Sequence, residues 1–181
     1  MSVPLGPRVG GATARRWRGR GRVAQAVSLL IVAGAAQRFV PMPRWTRFIG
    51  DPSDVPEQWT PGHEAALPVR SGDIIEERVR RAIRRAGARL PWTPSCLAEA
   101  TAGQIMLRRR GRCGVIVVGL RATTGGEPWE SHAWLLGAAG ALTGGPAAYG
   151  FTAVTVFEVP GGLQASEVDL SEPATPQAGD W

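Results

Sequence analysis

Apolar residues recur at helical spacing up to Gly111, and strand-like apolar runs follow it. Val23, Val27, Leu30, Ile31 and Gly34 fall on one side of a predicted helix over 22–39, which Val40-Pro41-Met42-Pro43 breaks. A short second helix is expected over 44–49, ended by Gly50. Ser71-Gly72-Asp73 offers caps for a third, with Ile74, Ile75, Val79, Ala82, Ile83 and Ala86 as its inner stripe and Gly87 at its end. A fourth is predicted over 94–110, with Leu97, Ala100, Gln104, Ile105 and Leu107 inward. Its last turn, Arg108-Arg109-Arg110, suits the negative end of the helix dipole.

The β-branched run Cys113 to Leu120 then reads as a central strand. Further strands are expected over 131–136, 140–143 and 151–159, with a tight hairpin at Gly137 to Gly140. This order predicts an α+β fold: helices followed by a mostly antiparallel sheet. The sequence divides into a disordered basic arm (1–21), an N-terminal helical segment (22–50) and a Pro-rich linker (51–69). The main domain follows over 70–160, with a disordered acidic tail over 161–181.

Composition narrows the chemistry. All 21 basic residues are arginine, so lysine-based covalent catalysis is excluded. A net charge of +6 favours an acidic partner, but no basic-aromatic pattern of an RNA-binding sheet accompanies it, and no nucleic acid is expected. Two cysteines make no disulfide framework, and two cysteines with two distant histidines make no convincing zinc site. No cofactor is called for. The basic run Arg15 to Arg22, the apolar run Val27 to Val32 and Ala33-Gly34-Ala35 together imitate an export signal. The other reading is an amphipathic helix that docks on the domain or lies on a membrane; the apolar run is too short to span one.

The candidate chemistry rests on Cys96 and His132. Thr93 as N-cap and Pro94 as the first helical residue would put Cys96 at the third position of the fourth helix. A free thiol, with a pKa of about 8.5, is mostly protonated at neutral pH. The free N–H groups and positive dipole end of a helix start favour the thiolate, and an imidazole on a neighbouring strand would pair with it. The plain alternatives are a buried, inert Cys96 and an ordinary core or surface His132. Cys113 is expected as a packed mid-strand residue, and His63 as an exposed residue of the linker.

Several segments together carry a resemblance. They are Arg38 to Trp45, Arg89-Leu90-Pro91-Trp92, Cys96-Leu97, Ala102 to Gly111, Val118-Gly119-Leu120-Arg121 and Ser131-His132-Ala133-Trp134. In this order they resemble the transglutaminase-like leader peptidases of lasso peptide biosynthesis, over roughly residues 25–158. The resemblance implies a papain-like core in which Cys96 is the nucleophile and His132 the acid/base. It implies cleavage of the leader from a precursor peptide in the cytoplasm. A separate PqqD-like protein would recognise the leader, and an ATP-dependent lasso cyclase would close the ring. Peripheral association with a membrane or transporter stays open. The family's third catalytic position is an acid on the strand after the histidine; the matching residue here is Gly144, flanked by Thr143. A backbone carbonyl, Thr143 or the distant Glu158 are the remaining candidates for that role. Its absence also motivates a non-enzymatic alternative, a degenerate domain that binds peptide or scaffolds the maturation complex.

Overall fold

The computed structural model describes residues 10–41, 44–57, 59, 73–124, 128–138 and 140–168. Among these residues four α-helices precede or flank one five-stranded sheet. They are α1 (Gly10–Phe39), α2 (Thr46–Ile49), α3 (Ile74–Gly87) and α4 (Cys96–Arg108). The strands are β1 (Asp51–Ser53), β2 (Val115–Ala122), β3 (Trp129–Gly137), β4 (Gly140–Thr143) and β5 (Thr152–Glu158). They lie in the order β1-β5-β2-β3-β4, and every neighbouring pair is antiparallel. This is the expected α+β arrangement.

Two cores sandwich the sheet. On one face Ile116, Leu135, Leu142 and Phe157 pack against α1, α3 and α4. On the other, Val117, Trp134, Leu136, Phe151 and Val156 pack with Trp59, Ala165 and Val168. The alternation along β3 explains the split: Leu135 points to the helices and Trp134 away from them.

The N-terminal helix docks. Val23, Ala26, Leu30 and Ala33, at successive spacings of three, four and three, are buried against the domain. Ile31, expected on the inner side, is exposed. The helix begins at Gly10, inside the stretch expected to be a disordered arm. Docking supplies the costly nucleus, and a formed helix extends easily through arginine. Among the described residues, no helix is long and apolar enough to cross a membrane.

The stretch read as linker contributes an edge strand, since β1 pairs with Ser53 to Asp51 against Val156 to Glu158. Pro52 is tolerated there because an edge strand leaves one side of its backbone unpaired. His63 lies outside the described residues. The segment read as a disordered tail continues in order to Val168: a short 3-10 turn, Ala165–Glu167, is anchored where Glu158 accepts from the Ala165 N–H. Helix α3 starts on Asp73, which accepts from the Ile75 and Glu76 N–H groups, but Ile74 is exposed rather than on the inner stripe.

Polar side-chain contacts fix α4 to the sheet, to α1 and to α2. Gln104 donates to the Gly114 carbonyl at 2.8 Å and accepts from the Gly114 N–H at 2.9 Å, so one side chain satisfies both backbone groups. Arg108 donates to the Arg47 carbonyl, and Arg110 to Gln25 and the Met106 carbonyl. These arginines of the basic run therefore tie elements together. Glu76, also buried, accepts from the Ala138 N–H and so holds the β3–β4 hairpin to α3.

Candidate active site

Ser95, not Thr93, caps α4, and this moves Cys96 from the expected third helical position to the first. The Ser95 hydroxyl accepts from the Ala98 N–H at 3.2 Å and donates to Gln37 of α1 at 2.6 Å. A serine hydroxyl within reach of an orphan N–H is a strong cap, and Pro94 is left outside the helix. Cys96 stays in the first turn, where the dipole and unpaired N–H groups act on its sulfur.

His132 stands on β3 directly opposite Gly119 of β2. Strand β4 pairs with β3 only from Leu135 to Gly137, so among the described residues no strand flanks β3 beside His132 on that side. The start of α4 comes to this open edge. There the Ala133 N–H and the His132 side chain both hydrogen-bond Cys96. Residues 36 positions apart in the sequence are thus joined because one begins a helix packed across the sheet and the other lies on the strand it crosses.

The pairing alters both groups. Burial pushes the Cys96 thiol up, but hydrogen bonds from His132, Ala133 and Leu97 and the His132 charge outweigh it, and the thiol sits below its ordinary value. The hydrogen bond to Cys96 raises the His132 imidazole; burial opposes it, while the Cys96 charge, the Gly144 carbonyl and Glu130 add to it. The imidazole ends above its ordinary value. A lowered thiol beside a raised imidazole favours transfer of the thiol proton to the ring.

Two aromatic rings lie against the imidazole. The Trp134 ring lies parallel to it, 6.1 Å between centroids and 22° between planes. Phe151 leans on it at 5.3 Å and 38°. A cavity of about 280 Å³ opens beside His132, lined by Arg80, Arg84, Glu99, Leu142 and Gly144 among others.

A family comparison places residues 30–156 in the transglutaminase-like superfamily. The chain belongs to the transglutaminase-like superfamily. No curated protein and no solved structure matches it.

Within this transglutaminase-like domain the third position departs from the expected pattern for a physical reason. Gly144 has φ +81°, in the left-handed region, and a Cβ added there would collide with Trp134 Cβ. An acid is therefore excluded by backbone conformation and packing together. Thr143 is already engaged, its hydroxyl accepting from the Leu135 N–H at 3.2 Å. Glu158 is engaged at Ala165, on the opposite end of β5 from the strand pair that holds His132. Of the three candidates only a carbonyl, that of Gly144, acts on the imidazole, yet Nε2 is buried without a completed hydrogen bond.

The remaining sequence candidates fall as follows. Cys113 precedes β2 rather than lying inside it, half-buried where Gly162 crosses close to its side chain. Trp134 is fully buried beside His132, while Trp92 is exposed. Arg121, exposed at the end of β2, pairs with Glu130 and covers Phe151.

Two residues of the site were not singled out in the sequence. Phe151 carries no motif, and only the path of the chain into β5 brings it to the imidazole. Glu99 lies one turn beyond Cys96 on α4, a spacing that could have flagged it. Burial raises the Glu99 carboxyl, and the His132 charge lowers it in part, leaving it above the usual carboxylate range.

Proposed function

We propose that this chain is a cysteine peptidase that removes the leader from a lasso peptide precursor. The carrying observation is the Cys96–His132 pair, with its thiol lowered and its imidazole raised at the open edge of β3. The order of the family-like segments supports the leader-peptidase assignment. The Cys96 thiolate attacks the scissile carbonyl while N–H groups at the start of α4 receive the oxyanion. The imidazolium of His132 gives its proton to the leaving amine as the C–N bond breaks, leaving a thioester. Neutral His132 then takes a proton from water, whose oxygen attacks the thioester and releases the leader acid and the thiol. A separate PqqD-like protein delivers the leader, and an ATP-dependent cyclase consumes the freed core peptide.

The test combines the full chain with a lasso precursor and its leader-recognition protein, and follows leader release by mass spectrometry. Cleavage is expected with the unmodified chain, with a loss of at least ~10³-fold for Cys96→Ala. The rate should rise with pH as the lowered thiol ionises and fall as the raised imidazolium loses its proton, giving a bell. Undiminished cleavage by Cys96→Ala would sink the mechanism. A second reading, a peptide-binding scaffold, is motivated by Gly144 standing at the acid position. Absence of cleavage by the unmodified chain, with leader still bound, would favour it.

A further inference from the structure

Neither Gly144 nor Thr143 offers His132 a carboxylate, yet a general base of this kind needs its ring held at one angle and its cation stabilised. We propose that two aromatic rings packed against the imidazole, those of Trp134 and Phe151, do this in place of the acid, making Phe151 a positioning residue of the Cys96–His132 pair. The proposal rests on the thiolate–imidazolium reading and deepens it.

The geometry is specific. The face of an aromatic ring is electron-rich and attracts a cation within about 6 Å. Phe151 at 5.3 Å is inside that range and Trp134 at 6.1 Å is at its limit. Both rings are themselves immobilised, Trp134 and Phe151 being almost wholly buried. Trp134 has its place because Gly119, opposite His132, carries no side chain; a Cβ there would come within 2.7 Å of the indole.

Phe151 is pinned from outside. The Arg121 guanidinium lies 4.4 Å above its ring centroid, and Glu130 fixes that guanidinium at 2.6 Å. Arg121 and Glu130 are direct cross-strand partners, and Glu130, His132 and Trp134 share one face of β3. The Arg121 guanidinium, the Phe151 ring and the His132 imidazole are thus in successive contact, with Trp134 beside the imidazole. The lack of a completed hydrogen bond at Nε2 leaves the ring contacts to hold that side of the imidazole.

The experiment needs no peptide. In a Cys113→Ser background, the rate of Cys96 alkylation by iodoacetamide is followed from acid to alkaline pH. The parent protein should alkylate with a midpoint below that of a free thiol. Phe151→Leu should move the midpoint up and slow the reaction several-fold at neutral pH, while Phe151→Tyr, which keeps the ring, should retain the parent profile. Val168→Ala, in the same core cluster but without a ring, controls for loosened packing and should leave the midpoint in place. If leucine at 151 prevents folding, Phe151→Met fills similar space without an aromatic face and is read the same way. An unchanged midpoint in the folded Leu or Met variant, or an equal shift in Val168→Ala, overturns the aromatic support alone. A free-thiol midpoint in the parent overturns the Cys–His pair itself and the proposed function with it.

Discussion

Gly144 separates two explanations of the missing acid. If the carboxylate were simply absent, Gly144→Asp would restore a triad. The positive φ and the collision with Trp134 Cβ predict the reverse. A side chain in the left-handed region costs about 1–2 kcal/mol before any clash. Displacing Trp134 also disturbs the ring stacked on His132. Gly144→Asp should therefore lower both the melting temperature and the leader-cleavage rate. A gain in activity at unchanged stability would show that the site accepts the acid after all. Ser95 makes a smaller prediction of the same kind. It caps α4 and meets Gln37, so Ser95→Ala should cost about 1 kcal/mol in chemical denaturation.

Helix α4 is the element on which the candidate site depends, because its first residue is the proposed nucleophile and its middle grips the sheet. Gln104 is fully buried and satisfies both backbone groups of Gly114. Gln104→Leu has similar volume but orphans two buried polar groups. At about 1–3 kcal/mol each, the loss should reach roughly 2–6 kcal/mol in a urea titration. A change under ~0.5 kcal/mol would mean that water reaches Gly114 as the fold loosens. The helix was legible in the sequence and its exact start was not. Thr93-Pro94 and Ser95 are both acceptable beginnings, and the choice fell to the hydroxyl that can also meet Gln37 of α1. Strands β2 to β5 were each legible from their apolar runs, but shifted by a residue or two at most ends. Pairing partners, not local pattern, set where a strand stops.

At the scale of the molecule, α1 belongs to the fold. Val23 and Leu30 are in the helical core, and the cap of α4 leans on Gln37. Leu30→Ala should cost about 2–5 kcal/mol, as for other fully buried leucines. Cleavage after Ala35, as the export-signal reading requires, would strip those residues from the core. Intact-mass measurement of the protein purified from the cells that make it should therefore show no species beginning near Gln37. Such a species, folded and soluble, would show that α1 is dispensable.

From the sequence alone follow the class of fold, the order of its helices and of β2 to β5, and Cys96 and His132 as candidates, because apolar periodicity and rare reactive residues are local signals. What only the tertiary structure decided is how the imidazole is surrounded. Trp134 stands two residues from His132 and was visible as a neighbour, but Phe151 and Arg121 reach the ring only through strand pairing, which no local pattern encodes. The same holds for Gly144: the sequence shows that an acid is missing there, and only the packed indole shows why none fits.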